Sequence, residues 1–331
     1  MTADRPRRLS VPVALAAAVL VTAIIAVAVV RRGDVSVGNV QVPPSGVLLG
    51  AHVQAEARSE EAGKAAVEAL EADIGRFLDI DHIFYPWDEP FPTGRERWDV
   101  SHGRVPMISW NGRGVRASEI AAGSHNGVIA ERAVNVKALR KPVLIRWFWE
   151  MDGKKKAEWA ESPEAYIAAW QRIHNVFDDE GANNVSWVWC PNASAFADGS
   201  AQRFYPGDRY VDFICADGYN WAPGREGDPW RSFGETFSAF HAWGLQQDKP
   251  LMVGEYGVQE RADGEKAAWL RDAKESLKSE FRAIRAVVYF DANRDYDWRV
   301  RTSPSAMAAF REMATDPWFT VTDTSRRRPR L

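Results

Sequence analysis

Two segments decide the predicted fold: 143 VLIRWFWEMDG 153 and 251 LMVGEYG 257. Each is a short run of β-branched, aliphatic and aromatic residues that ends in a glutamate, Glu150 or Glu255. Six further runs of this kind are spaced along the chain, and amphipathic stretches lie between most of them. Regular alternation of strand and helix predicts an α/β protein with a parallel sheet.

The predicted strands share short length and high β-propensity. They are Val47–Val53, His82–Trp87, Val105–Trp110, Pro142–Trp149, Val185–Cys190, Tyr210–Asp217, Pro250–Glu255 and Ala283–Phe290. Helices are predicted over Glu60–Phe77, Pro163–Phe177, Gly264–Glu280 and Pro304–Met313, two of them opened by Ser-Pro. Eight such units in about 270 residues predict a (β/α)8 TIM barrel. A doubly wound sheet is disfavoured because no Gly-rich phosphate turn follows the first strand.

The chain ends carry different signals from the body. Val11–Val30 is an uncharged apolar run long enough to span a bilayer, with arginines on both sides. We expect residues 1–32 to form a signal-anchor that leaves the rest outside the cell, with a cleaved signal peptide and secretion as the alternative. Residues 33–46 are interpreted as a linker, 47–320 as the single barrel domain, and 321–331 as a disordered tail.

Composition excludes several classes of protein. The formal net charge of the 331 residues is −3, and no basic, aromatic-laced patch predicts a nucleic-acid partner. The two cysteines, Cys190 and Cys215, are too few for a cysteine zinc site, and free thiols are favoured over a bridge. The fifteen tryptophans fit a sugar-binding cleft and an aromatic core equally well. We predict no cofactor, no metal and a monomer.

The two glutamates are the candidate catalytic residues. In barrel enzymes the active site lies at the carboxyl ends of the strands, where both glutamates stand. Alternation along a strand groups Arg146, Phe148 and Glu150 on one face, and Val253 with Glu255 on another. If these faces point inward, two carboxylates meet over the barrel, as glycoside hydrolysis requires. Opposed strands favour the short separation of a retaining enzyme.

Neighbouring residues suggest which glutamate takes which role. A general acid must hold its proton near neutral pH, which apolar surroundings favour. Glu150 follows Trp147-Phe148-Trp149, so we expect it to be the acid/base. Glu255 lies beside glycines, whose backbone N–H groups or a nearby tyrosine hydroxyl would stabilise an ionised nucleophile.

Several motifs resemble glycoside hydrolase family 26, a (β/α)8 family that includes endo-β-mannanases and some β-glucanases and xylanases. Residues 146–153, RWFWEMDG, are similar to the R-x-x-H-E-M-N-G around its acid/base glutamate. Residues 188–192, VWCPN, resemble its strand-five segment, and 205–208, YPGD, with 217–220, DGYN, resemble the stretch whose tyrosine contacts the nucleophile. Residues 254–257, GEYG, resemble the nucleophile motif.

The resemblance implies a retaining endo-β-glycosidase acting on a polysaccharide or oligosaccharide, with β-mannan as first choice. Mixed-linkage β-glucan, xylan, an exopolysaccharide, or a non-catalytic glycan-binding barrel are the alternatives. Trp149 and Asp152 depart from the family's His and Asn, which puts mannan specificity in doubt. The candidate substrate-binding residues at strand ends are Trp149, Asp152, Tyr219, Asn220, Trp221, Arg146, Trp110, His52, Trp189, Asp291 and Trp298.

A weaker pattern follows the last strand. Residues 291–297, DANRDYD, place acidic or amide side chains at alternate positions, as a calcium loop does. The sixth position is Tyr296 rather than glycine, and the twelfth is Thr302 rather than glutamate. We therefore favour Asp291 as a sugar contact over a calcium ligand.

Overall fold

The computed structural model describes Met1 and residues 40–320. The predicted N-terminal anchor and C-terminal tail therefore lie outside the described residues. Within the described part, no helix combines the length and the apolar character needed to cross a membrane. In the predicted linker, Val40 packs against the barrel: it is buried, and its N–H donates to Ser186 Oγ at 3.0 Å.

Eight parallel strands form a closed barrel in chain order, with β8 pairing to β1. The predicted (β/α)8 barrel is confirmed. The strands are β1 Leu48–Val53, β2 Ile80–Tyr85, β3 Val105–Trp110, β4 Val143–Trp147, β5 Val185–Trp189, β6 Phe213–Asn220, β7 Leu251–Val258 and β8 Ile284–Asp291.

Helices follow the strands and cover the outside of the barrel. In the described residues they are α1 Glu60–Ile74, α2 Gly94–Ser101, α3 Ala117–Ala121, α4 Asn126–Lys137, α5 Ala157–Ala160, α6 Pro163–Asp179, α7 Phe233–Gly244, α8 Glu265–Lys278 and α9 Pro304–Thr315. Hydroxyl N-caps fix several starts: Ser162 Oγ accepts from Ala165 N, and Ser303 Oγ accepts from Ala306 N. Both predicted Ser-Pro helix starts are confirmed.

The apolar core has two layers. The larger lies between strands and helices and holds most of the buried tryptophans, among them Trp110, Trp147, Trp170 and Trp189. The smaller fills the barrel interior with side chains such as Leu144, Met107 and Met252. Core packing thus accounts for much of the tryptophan content.

The two cysteines correct a prediction. Cys190 follows β5 and Cys215 lies in β6, and they form a disulfide with a Cα–Cα distance of 4.3 Å. The register pairs Val188 with Phe213 and Trp189 with Ile214, so the cysteines come next to each other on adjacent strands. Both are buried in the barrel interior. The prediction of free thiols is wrong because the sequence does not reveal this register.

Candidate active site

A cleft of about 840 Å³ opens at the carboxyl ends of the strands. Its lining comes from the ends of β1, β2, β4, β6, β7 and β8 and from the loops that follow them. Glu150 and Glu255 both line it, so the structure brings the two predicted carboxylates to one cavity. Of the other predicted residues, the lining includes His52, Trp149, Tyr219, Trp221 and Trp298.

A register shift aims Glu255 into the cleft. Leu251 and Val253 belong to the outer core layer, while Met252 faces the barrel interior. The pairing jumps from Ala216–Val253 to Asp217–Glu255, so one residue of β7, Gly254, is skipped. The sequence-based grouping of Val253 with Glu255 on one face is therefore wrong, because it assumed unbroken alternation.

Gly254 is a position where only glycine fits. A Cβ there would come within 2.5 Å of Cys215 Sγ and 2.8 Å of Asp217 Oδ1. The backbone of Gly254 therefore packs directly against the disulfide and the Asp217 side chain beneath the cleft. The glycine predicted to supply backbone donors has a packing role in this structure.

Glu255 is held by two donors. Its Oε1 accepts a hydrogen bond from Arg146 Nη2, and its Oε2 accepts one from Tyr219 Oη. Only 7% of the side chain is exposed. Burial, reinforced by the negative charge of Glu255, raises the pKa of Tyr219 well above its usual value, so the phenol stays a donor. Two donors thus fix the position of this buried carboxylate.

Arg146 connects the groups beneath the cleft. It is fully buried, and its Nη1 donates to both carboxylate oxygens of Asp217, at 2.7 and 2.8 Å. Its Nε donates to Ser109 Oγ at 2.8 Å. Burial and the positive charge of Arg146 hold the pKa of His82 well below its ordinary value, so that ring is neutral. Removing one partner from such a network leaves an uncompensated buried charge, which is strongly destabilising.

Glu150 reaches the cleft through an unusual backbone. Phe148 and Glu150 have φ values of 43° and 51°, in the left-handed region that non-glycine residues seldom adopt. Phe148 consequently packs in the outer core layer, not beside Arg146 as alternation predicted. The strain is held by hydrogen bonds: Glu150 N donates to Cys190 O at 2.7 Å, and Gly153 N donates to Glu150 O at 2.9 Å. Strained residues of this kind cluster at functional sites.

The Glu150 side chain is 27% exposed, and its Oε2 lies 3.4 Å from Lys156 Nζ. Burial lowers the pKa of Lys156, while the charge of Glu150 opposes that shift. Trp149 lines the cleft beside them. Lys156 Nζ lies 4.2 Å from the centre of its ring, and the Arg146 guanidinium carbon lies 4.9 Å away. The Trp149 ring is thus in contact with two cations.

Aromatic side chains form one wall of the cleft. Tyr219, Trp221 and Trp298 are in mutual contact, with ring centroids 4.8–5.3 Å apart. Tyr296 extends this wall, 5.7 Å from Trp298. Flat apolar rings beside hydroxyl and indole donors suit the faces of a pyranose.

Two predicted sugar contacts lie outside the cleft, and these predictions are wrong. Trp110 is fully buried in the outer core layer, where it stacks on Trp87 at 4.3 Å. Trp189 is also fully buried and packs against Tyr205 and Trp243. Both side chains point to the helix side of their strands, a choice that residue type alone does not reveal.

Three polar candidates are engaged in structure instead of lining the cleft. Asp152 accepts from Asn192 N and Nδ2, at 3.0 and 2.9 Å. Asn220 is buried and accepts from Arg231 N at 3.4 Å. Asp291 is buried and accepts from Val300 N at 2.7 Å, which closes the loop after β8. This bond gives Asp291 a loop-closing role in place of the predicted sugar contact.

His52 lies at the cleft floor between aromatic rings. Its Nδ1 is 3.0 Å from His82 O, and its ring stacks on Phe290 at 5.1 Å. Burial lowers the pKa of His52 to about 4, so the ring is neutral at ordinary pH. A neutral ring with Nδ1 donating leaves Nε2 as an acceptor.

Sequence reasoning missed Lys156, Phe84, Tyr296 and Phe290 as lining residues. Phe84 and Phe290 lie in strands without a register shift at these positions, so the alternation of side chains along β2 and β8 could have predicted that they face the cleft. Lys156 lies in a loop with no regular pattern. Among the described residues, the group with metal-ligand spacing is Cys190, Cys215 and Asp217, and the disulfide uses both of its sulfur atoms.

The comparisons with known proteins agree with the motifs. The model of the family described as "Glycosyl hydrolase family 26" matches residues 122–242. This segment of the chain is similar to that family. The predicted resemblance to this family is confirmed.

The curated relatives carry different names. Endoglucanase H of Acetivibrio thermocellus is 32% identical over 288 residues, which cover 84% of this chain and 31% of that protein. Mannan endo-1,4-beta-mannosidase A and B of Caldalkalibacillus mannanilyticus is 25% identical over 174 residues, covering 52% of this chain and 29% of the relative. The chain spans about a third of the length of these relatives.

Solved structures support the fold. A family 26 β-mannanase from Bacteroides ovatus matches with a TM-score of 0.60 at 15% identity, over 83% of this chain and 90% of that one. The family 26 protein GH26C from a Muricauda species matches with a TM-score of 0.63 at 15% identity, over 87% and 91% of the two chains. At this identity the likeness bears on the fold alone.

Proposed function

We propose that this chain is a retaining, endo-acting β-glycosidase with Glu150 as acid/base and Glu255 as nucleophile. The proposal rests on one observation: two carboxylates line the same cleft, and one is buried while the other is partly exposed. Glu255 is buried and accepts from Arg146 and Tyr219, as an ionised nucleophile requires. Glu150 stands at the open edge, where it can exchange a proton with a leaving group or water.

The reaction needs two displacements. Glu150 donates its proton to the glycosidic oxygen as Glu255 attacks the anomeric carbon, so the aglycone leaves as an alcohol and a glycosyl ester forms on Glu255. Glu150, now ionised, removes a proton from water as the water oxygen attacks the same carbon. Glu255 leaves as a carboxylate, Glu150 is protonated again, and the sugar keeps its configuration.

Tyr219 and Arg146 have distinct roles in this mechanism. Both donate a hydrogen bond to Glu255 and stabilise its negative charge before attack. These hydrogen bonds weaken when the ester forms, because the ester carries no charge. When water cleaves the ester, they stabilise the returning carboxylate. The neutral rings of His52 and His82 add no competing positive charge to this site.

We propose a β-glucan backbone as the substrate, with β-mannan as the second candidate. The support is the higher identity to the relative named an endoglucanase than to the one named a mannosidase. Trp149, in place of the histidine expected for mannanases, agrees with this order. The cleft volume of about 840 Å³ is at the upper end of the roughly 300–1,000 Å³ typical of ligand pockets. It therefore has room for several sugar rings, as endo action requires.

The test is a panel of soluble polysaccharides: mixed-linkage β-glucan, β-mannan, β-xylan and carboxymethyl cellulose. The protein that starts at Val35 is assayed for reducing ends, and proton NMR follows the anomer formed first. We expect hydrolysis of β-glucan with a β-anomer as first product. A first-formed α-anomer contradicts retention, and glycan binding without any hydrolysis favours a binding module.

We propose further that the barrel faces the outside of the cell, tethered by residues 1–32. The support is the apolar run Val11–Val30 with its flanking arginines. Protease added to intact cells that express the full chain should remove the barrel while a cytoplasmic marker survives. A barrel protected in intact cells but digested after lysis overturns the orientation.

A further inference from the structure

Lys156 is the cation nearest to the exposed carboxylate. Its Nζ lies 3.4 Å from Glu150 Oε2, and it donates a hydrogen bond to Trp149 O. Its side chain is only 13% exposed. The neighbouring Lys154 and Lys155 are exposed.

The charges around Lys156 are mixed. Glu150, Glu255 and Asp217 attract its ammonium group, and Arg146 repels it. Arg146 is already engaged by Asp217 and Glu255. Among the described charged groups around Glu150, Lys156 is the cation that forms an ion pair with it.

We propose that Lys156 is a positioning residue for Glu150, and this inference rests on the proposed function. It holds the carboxyl group over the cleft and places a positive charge beside it. The hydrogen bond to Trp149 O anchors Lys156 to the backbone next to Glu150, so the ammonium moves with the strained segment. The same group contacts the Trp149 ring, which links the acid/base to the adjacent sugar-binding surface.

The ammonium has opposite effects on the two half-reactions. It favours ionised Glu150, so it weakens the acid at high pH and stabilises the carboxylate that activates water. Removing the charge should keep Glu150 protonated to higher pH and leave its orientation looser. The alkaline limb of the kcat/KM profile should therefore move upward, while kcat falls.

The experiment compares Lys156→Met, Lys156→Gln and Lys156→Arg in the protein that starts at Val35. Lys155→Met, in the same loop with its side chain in solvent, is the matched control. The profiles are measured on the best polysaccharide and on an aryl β-glycoside with a good leaving group. We expect Lys156→Met and Lys156→Gln to move the alkaline limb up by about one pH unit. Their kcat on polysaccharide should fall about tenfold to 100-fold, with KM changed little.

Lys156→Arg should keep the alkaline limb of the kcat/KM profile at the pH of the parent protein and retain most of kcat. Lys155→Met should match the parent protein in both respects. An unmoved limb in both neutral variants, with the parent active, overturns the inference and leaves the proposed function standing. A parent without hydrolysis on any panel member overturns the proposed function itself. If Lys156→Met does not fold, the Gln and Arg variants decide, because both keep a long polar side chain.

Discussion

The floor and the rim of the cleft are built differently. The floor, made of His52, His82, Arg146, Asp217, Tyr219 and Glu255, is largely buried and joined by hydrogen bonds. The rim, made of Trp149, Glu150 and Lys156, is partly exposed, and a single ion pair holds its carboxylate.

The difference teaches how one cleft gives two glutamates separate tasks. A nucleophile needs a fixed position and one charge state, which a buried donor network supplies. An acid/base must gain and lose a proton in each turnover, so it needs solvent and few fixed partners. Each prediction below changes one side of this contrast.

The largest effect is expected at the floor. Glu255→Ala removes the nucleophile, so hydrolysis should fall on the order of 10⁴-fold or more. Folding should be kept, because the buried Arg146 guanidinium still pairs with Asp217 when Glu255 is removed. Steady-state assays and thermal unfolding check both points. Glu275→Ala on the exposed face of α8 is the control, and comparable loss there would point to a general defect.

At the rim, the effect should depend on the leaving group. Glu150→Gln should reduce hydrolysis of polysaccharide about 10²- to 10⁴-fold, the range typical of general acid catalysis. An aryl glycoside with a good leaving group needs little protonation, so its first step should be largely spared, with the covalent intermediate accumulating as a burst. Equal loss on both substrates, without a burst, would remove the acid role from Glu150.

A smaller effect is expected from one donor at the floor. Tyr219→Phe removes the hydrogen bond to Glu255 Oε2 but keeps the ring that packs against Trp298. Hydrogen bonds to charged groups contribute about 1.5–3 kcal/mol, which corresponds to roughly 10- to 150-fold in rate. The loss should appear in kcat on both kinds of substrate, unlike that of Glu150→Gln. A decrease in kcat on polysaccharide alone would mean that Tyr219 assists the acid/base Glu150 and not the nucleophile Glu255.

The strands could be predicted because β-branched and aromatic runs alternate with helix signals at regular intervals. The two catalytic candidates followed from their positions at strand ends. Local backbone irregularity escaped prediction: the left-handed residues Phe148 and Glu150 and the skipped Gly254 each change which side chains face inward. Alternation was thus the wrong reason for grouping Val253 with Glu255, although Glu255 does line the cleft.

The remaining errors come from side chains that suit two environments. Trp110 and Trp189 fit a core and a sugar site equally well, and strand register decides between them. Lys156 was missed because a loop of three consecutive lysines gives no signal as to which one folds back. Asp291 looked free at a strand end but closes a loop by accepting from Val300 N.

The smallest expected effect is on stability, and it tests whether the floor is built from neutral histidines. The pKa of His52 is about 4 in the folded protein, against about 6.5 for an unfolded chain. Between these values the unfolded state binds more protons, so His52 makes stability fall as pH drops from 6.5 to 4. Thermal midpoints of His52→Phe should vary less with pH across this window than those of the parent. Since His82 shifts in the same direction, some slope should remain. An unchanged slope in the variant would mean that His52 is already protonated in the folded protein, so that the cleft floor carries a second positive charge beside Arg146.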